Sequence, residues 1–346
     1  MIFAAKHLIT LNLVAAAVAL AQTPAATGGG TPSPTEIARK MGMRNVRVHD
    51  PSTIAKCGDE YYVYATGMPM FHSKDLVNWT PGPGPTAGLS MTWPAEAVPR
   101  GGRGGGGGNY WAPDVIKVKD KYFIFLSASA FGVNTSGIGA ISSPTLNPDD
   151  PAYKWTDGGL VVKSETRDNF NCIDPAALCD TDGKLWLSFG SFWGGIMLIE
   201  LNPETGARIA PNSPMYQLAH FDSIEASYLY KHDNYYYLFV NWGMCCRNAN
   251  STYNMRLGRS RNVTGPYLDK EGKPMATGGG TSFMDISDGP LVGFGHAGII
   301  QVGDKFYISS HVEVNNSGAE PANAGTLSIR PLTWDVQGWP VAGQWD

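Results

Sequence analysis

The sequence predicts an all-β fold, a five-bladed β-propeller, and three observations carry that prediction. The first is a repeat. Five segments share one plan: "DPSTIAKCGDEYYVYATG" from Asp50, "APDVIKVKDKYFIFLSAS" from Ala112, "DPAALCDTDGKLWLSFGS" from Asp174, "EASYLYKHDNYYYLFVNW" from Glu225 and "HAGIIQVGDKFYISSHV" from His296. In each, an apolar stretch meets a polar turn and then an aromatic-rich run of strand-forming residues. The second is spacing. Starts at 50, 112, 174, 225 and 296 lie 62, 62, 51 and 71 residues apart, which leaves room for two more strands in each unit. The third is composition: 42 Gly and 24 Pro suit many short strands joined by turns, and no amphipathic helix of useful length is present.

The elements follow in order. The first hairpin turns at Gly58-Asp59 into Tyr61-Tyr62-Val63-Tyr64, and the second at Lys119-Asp120 into Tyr122-Phe123-Ile124-Phe125. The third turns at Asp182-Gly183 into Leu185-Trp186-Leu187 and the fourth at Asp233-Asn234 into Tyr235-Tyr236-Tyr237-Leu238-Phe239. The fifth turns at Gly303-Asp304 into Phe306-Tyr307-Ile308. Two short strands joined by a polar turn form a hairpin. Four-stranded units around an axis are propeller blades. A sandwich of hairpins accounts less well for the aromatic second strand, because a blade must bury both faces against its neighbours.

Before the repeats, Lys6 and His7 precede the apolar run Leu8 to Leu20, and Ala19-Leu20-Ala21 matches a small-x-small cleavage site. The run falls short of the roughly 20 residues a membrane span needs. The organisation expected is therefore a signal peptide over 1–21, a linker over 22–43 and a catalytic propeller over 44–346, in a secreted or periplasmic protein. Net charge is −4, from 26 basic and 30 acidic residues, and gives no reason to expect nucleic acid or a membrane surface as partner. Five cysteines make an odd count; Cys172 and Cys179 could pair, but small buried residues are the favoured reading and no zinc pattern is present. The run "RGGRGGGGGN" over 100–109 reads as a flap.

Aligned on their first residues, the repeats hold Asp50, Ala112, Asp174, Glu225 and His296. A single Asp opening a strand is usually a turn residue. Three carboxylates and a histidine at equivalent places are different. They would converge near the axis from four blades, and clustering like charges is unfavourable without a purpose. Carboxyls with mutually shifted pKa values are what acid/base chemistry requires. In an exported protein they suggest glycoside hydrolysis, with one carboxylic acid protonating the leaving oxygen and one carboxylate activating water or attacking the sugar. Trp111 and Phe131 lie near the same strand ends; each taken alone reads first as a packing residue.

At these motifs the sequence also resembles a known family. "VHDP", "NYWAPDVI", "NCIDPAALCDTDGKLWLSFGSFWGGI", "IEASYLY" and "CCRNANSTYNMRLGRSRNVTGPYLDKEGKPM" are similar to glycoside hydrolase family 43, in particular its arabinanase-like members, from about residue 44 to 340. The resemblance implies a five-bladed propeller that cleaves α-1,5-linked arabinan, or a related pentose polymer, with inversion. It makes Asp50 the general base, Glu225 the general acid and Asp174 the residue that raises and orients that acid. It places Asn171, Gly132 and Ser191 along the sugar site, with Trp111 and Phe131 as walls. It puts His296 beside a central calcium ion held largely through water, and implies no organic cofactor. The partner expected is plant cell-wall arabinan, acted on by a monomer. Alternatives are an exo-acting α-L-arabinofuranosidase or β-xylosidase, a non-catalytic sugar-binding propeller, and a retaining fructosidase. The chain departs from the family pattern at Ser227, where Pro is more frequent, and at Val312-Glu313, where Tyr-Asp is.

Overall fold

The computed structural model describes residues 39–98, 110–247, 250–284, 291–314 and 325–345. The expected signal peptide, residues 22–38 of the expected linker and the glycine run 100–109 lie outside the described residues. Five antiparallel sheets follow one another along the chain, one for each repeat, as a five-bladed β-propeller. Strand β1 (Met43–Arg47) stands apart from its sequence neighbours. Blade 1 is β2 (Ala55–Cys57), β3 (Glu60–Tyr64), β4 (Met70–Ser73) and β5 (Thr80–Gly82). Blade 2 is β6 (Tyr110–Val118), β7 (Lys121–Ala128), β8 (Ser136–Ser143) and β9 (Thr156–Ser164). Blade 3 is β10 (Ala176–Cys179), β11 (Leu185–Phe189), β12 (Ile196–Leu201) and β13 (Met215–Ala219). Blade 4 is β14 (Ile224–His232), β15 (Tyr235–Trp242), β16 (Asn254–Ser260) and β17 (Thr281–Met284). Blade 5 is β18 (Leu291–Val302), β19 (Lys305–Val314) and β20 (Gly325–Trp334), with β1 on one side of β20 and β21 (Pro340–Ala342) also paired to it.

The aromatic second strands bury both faces, and the period of two in a strand decides which neighbour each residue meets. Tyr62 and Tyr64 of β3 pack with Ile124 and Leu126 of blade 2, whereas Tyr61 and Val63 pack with Leu327 and Ile329 of blade 5. Phe123 and Phe125 of β7 turn the other way, onto Leu185 and Leu187 of blade 3. Each such side chain, fully buried, contributes about 1.5–3 kcal/mol relative to exposure. The core is thus a set of seams between blades.

Four of the expected hairpin turns lie where the sequence places them, with a left-handed residue at the first position: Gly58, Lys119, Asp233 and Gly303. The third is wider, because β10 ends at Cys179 and β11 begins only at Leu185. Two of the first strands are also shorter than the repeats suggest: β2 covers only Ala55–Cys57 and β10 only Ala176–Cys179. The residues before β2 are bent by a left-handed backbone at Asp50 (φ 50°), repeated at Asp174 (57°), Ala226 (52°) and His296 (61°). Non-glycine residues seldom adopt this conformation, so its recurrence marks a shared structural position. It also refines the repeat alignment: Ala226, not Glu225, matches Asp50, Asp174 and His296, and Glu225 stands one place earlier.

Two devices join the blades. The carboxylate of Asp114, two residues after Ala112, is buried and accepts the backbone N–H of Thr53 at 2.9 Å and of Ala177 at 2.8 Å, tying blades 1, 2 and 3 together. At the other end of the chain, β1 completes blade 5 by pairing Met43 with Ser328 and Arg47 with Thr326. Met41, within the stretch assigned to the linker, is already buried in the blade 4–blade 5 core. No helix among the described residues is long and apolar enough to cross a membrane.

Candidate active site

The residues leading into the innermost strands line one cavity of about 860 Å³. Eight of the nine residues singled out in the sequence form part of its wall: Asp50, Trp111, Phe131, Gly132, Asn171, Asp174, Ser191 and Glu225. The ninth, His296, is buried behind Asp50, with Nδ1 3.5 Å from Asp50 Oδ1. Blade 1 therefore supplies Asp50, blade 3 Asp174, blade 4 Glu225 and blade 5 His296.

Asp50 sits in a polar nest. Thr66 Oγ1 donates to its Oδ2 at 2.7 Å, and His49 Nδ1 meets the same oxygen at 2.8 Å. Its backbone N–H donates to His311 Nδ1 at 3.1 Å, which fixes that ring as the neutral tautomer protonated on Nε2. Burial alone would push the Asp50 carboxyl up, but the charge and hydrogen bonds of His49 and His296 hold it well below the ordinary carboxylate range. Glu225 has the opposite setting. Ser191 Oγ donates to its Oε2 at 2.8 Å, yet burial and the nearby Asp50 charge raise its pKa. Asp174 accepts the backbone N–H of Ala226 through Oδ2 at 3.0 Å. Burial first and the Glu225 charge second push Asp174 up to about 8. One carboxyl pushed down beside two pushed up is the division of labour that acid/base chemistry uses.

The rest of the wall suits a sugar. The rings of Trp111 and Phe131 lie 4.7 Å apart, and Phe131 is 60% exposed, so these two aromatics face the cavity instead of the core. Gly132 has φ 77°, and a side chain there would meet nothing within 4 Å; the glycine serves the backbone conformation, not a close approach. Asn171 Oδ1 is buried without a hydrogen-bond partner, a free acceptor in the wall.

His49, Thr66 and His311 were not singled out in the sequence, although His49 stands inside the quoted "VHDP" motif beside Asp50. Adjacency to a candidate base was the available signal for His49, and hairpin pairing the signal for Thr66, which closes the repeat that Asp50 opens; His311 comes from another blade and had none. At the positions that depart from the family pattern, Ser227 Oγ donates to Ser188 Oγ at 3.0 Å, and Glu313 Oε1 accepts from Ser251 Oγ at 2.9 Å and from the Cys246 N–H at 3.1 Å. Cys172 is buried and Cys179 exposed, and neither has a sulfur partner; the sulfurs that do meet are those of Cys245 and Cys246, 2.8 Å apart. His296 Nδ1 is buried and faces Asp50 Oδ1 at 3.5 Å, and that carboxylate raises the imidazole pKa against the effect of burial, so this nitrogen is not a free ligand for a cation. The described clusters of three potential ligands, His49-Cys245-Cys246 and His49-Asp50-His311, do not include it. Since calcium prefers six to eight oxygen ligands, these residues do not fit a directly chelated calcium ion at His296.

Residues 43–340 match the model of glycosyl hydrolases family 43. The chain belongs to this family. It is 38% identical over 315 residues to the extracellular exo-α-(1→5)-L-arabinofuranosidase ArbA of Cellvibrio japonicus (strain Ueda107), covering 86% of this chain and 87% of that protein. It is 36% identical over 309 residues to the extracellular endo-α-(1→5)-L-arabinanase 1 of Bacillus subtilis (strain 168), covering 86% and 88%. Among solved structures, the α-L-arabinanase of Cellvibrio cellulosa complexed with arabinohexaose superposes with a TM-score of 0.78 at 37% identity, over 86% of this chain and 95% of that one. The family 43 assignment makes the chain a glycosidase, and its cavity is the place where that chemistry must be sought.

Proposed function

We propose that this family 43 glycosidase hydrolyses α-1,5-linked L-arabinan with inversion, cutting within the chain. The observation that carries the reading is the opposed electrostatics of Asp50 and Glu225 in one cavity, the first pushed toward the ionised form and the second toward the protonated form. Glu225 donates its proton to the glycosidic oxygen as the bond breaks. Asp50 takes a proton from a water that attacks the anomeric carbon from the other face, and the product inverts. Asp174 holds the Glu225–Ala226 peptide through the Ala226 N–H, and as it ionises near pH 8 its charge raises the pKa of that acid further. Asn171 Oδ1 accepts a sugar hydroxyl, and Trp111 with Phe131 packs against a ring face. Arabinan as substrate is supported by the activities for which the relatives above are named.

Product analysis on linear arabinan tests the reading. Early oligomers with inverted anomeric configuration, followed by proton NMR, are expected. Release of arabinose alone would replace it with the exo-acting reading, which the Cellvibrio japonicus relative favours. Release of nothing would remove arabinan as substrate. We further read the chain as exported and monomeric, to be checked by its location after expression and by light scattering. A cation at the centre of the propeller would be held through water and not by direct ligation from His296; elemental analysis of the purified protein decides it, and no step above depends on it.

A further inference from the structure

Cys245 and Cys246 line the cavity, yet the reaction outlined above uses neither sulfur. Their Sγ atoms lie 2.8 Å apart, closer than non-bonded sulfurs normally approach and longer than the S–S bond of about 2.0 Å. Cys246 has a left-handed backbone, φ 62°, which a non-glycine residue holds only where its surroundings impose it. Here they do: its N–H is held by the buried Glu313, and its sulfur lies 3.3 Å from His49 Nε2. Both thiols are only partly buried and so within reach of a small reagent. The other three cysteines have no sulfur neighbour; Cys57 Sγ contacts Thr145 Oγ1, Cys172 is buried in the blade 2–blade 3 seam, and Cys179 Sγ faces the Asp180 carbonyl. The Cys245 thiol beside it and the His49 ring draw Cys246 down to about 7 against the effect of burial, so an appreciable fraction is thiolate at neutral pH.

We propose that Cys245 and Cys246 form a thiol–disulfide couple in the wall of the substrate cavity, closing to a vicinal disulfide by exchange with a small external disulfide, and that the closed form holds substrate more tightly. This rests on the arabinan reading for the identity of that substrate. The Cys246 thiolate, its proton passed to His49, attacks one sulfur of the external disulfide, whose S–S bond breaks. The departing thiolate takes the proton from His49 and leaves a mixed disulfide on Cys246. The Cys245 thiol loses its proton and attacks Cys246 Sγ, expelling the second external thiolate, which leaves protonated. The external disulfide is reduced to two thiols and the protein dithiol is oxidised to one disulfide. Closure removes two polar S–H groups and fixes Met244–Cys246 of the wall, presenting an apolar sulfur edge to a sugar. Pre-ordering a wall in this way strengthens binding by reducing the ordering cost.

The full chain equilibrated with oxidised or with reduced glutathione tests this. In the oxidised sample the peptide carrying both cysteines should lose two hydrogen atoms by mass and resist alkylation. On reduction, KM for linear arabinan should rise about threefold or more while kcat changes less, the signature of lost uniform binding. Cys245→Ser should have the high KM under both conditions and Cys246→Ser should do the same. Full alkylation of both thiols in excess oxidised glutathione, or one KM for the closed and open forms, overturns the proposal. Cleavage of arabinan in neither state would overturn the substrate reading instead, and the thiol count would still decide whether the couple exists.

Discussion

The carboxyl of Asp174 reaches from blade 3 to blade 4 and accepts the N–H of Ala226 at 3.0 Å, gripping the peptide that carries Glu225. One residue thereby places the proposed acid and tunes its charge. Asp174→Asn keeps an oxygen acceptor and removes the ionisable group; kcat should fall about 10–100-fold with little change in KM. Asp174→Ala should cost more, because a buried N–H loses its partner, at about 1–3 kcal/mol. Arabinan kinetics on both variants check this, and equal losses would show that position matters less than supposed.

The same carboxyl makes a stability prediction of opposite sign. Its pKa is raised to about 8 in the folded protein, so folding favours its protonated form. The folded state is increasingly penalised as pH rises from the unfolded value through about 8. Asp174→Asn removes that penalty and should be more stable than the parent by about 1–2 kcal/mol at pH 9, and close to it at about pH 4. Thermal melts at the two pH values read the difference directly; a variant equally destabilised at both would contradict the assignment.

Leaving-group chemistry separates the other two carboxyls. An aryl arabinofuranoside with an acidic phenol departs without protonation. Glu225→Gln should therefore lose about 10²–10⁴ in kcat on arabinan and far less on the aryl glycoside. Asp50→Asn should lose activity on both, since water activation is needed in either case. Parallel losses in the two variants would mean the acid and base have been confused.

The pH–rate profile should be displaced from that of two ordinary carboxyls. Asp50 stays ionised well below the usual range, so the acid limb lies below about pH 4. The falling limb reports deprotonation of Glu225 and Asp174, both raised, and belongs to the coupled pair rather than to either residue. An activity maximum confined to about pH 4–5 would rule this out.

Asp114 is a structural counterpart to these residues. Its two oxygens hold Thr53 and Ala177 from flanking blades. In Asp114→Asn an amide NH2 faces one of those N–H groups. A loss of about 2–3 kcal/mol, or roughly 4–8 °C in Tm, is expected, with activity per folded molecule kept.

Much of this was legible in the sequence, because a blade buries both faces of its second strand and so writes a dense apolar and aromatic signature at every repeat, as in Tyr61–Tyr64 and Tyr235–Phe239. The candidate carboxyls Asp50 and Asp174 could be picked out because they share a place in that repeat. What was hidden depends on backbone bends and on residues distant in sequence. Glu225 was aligned with Asp50 and Asp174, whereas the left-handed residue is Ala226; only coordinates register a bulge of one residue. His311 reaches Asp50 from another blade, and nothing in its own segment announces it. The Cys172–Cys179 pairing drew on spacing alone, while the sulfurs that meet are adjacent in the chain.

The pairing of β1 with β20 has a consequence for how the molecule is made. Residues 43–47 emerge first and must wait for residues 325–334 before their edge is satisfied. Until then the final sheet lacks its outer strand and exposes an unpaired rim, the kind of surface that recruits other chains. Removing residues 43–47 or 325–334 should therefore produce aggregation instead of a smaller, stable protein, and completion of the final sheet waits for residues 325–334.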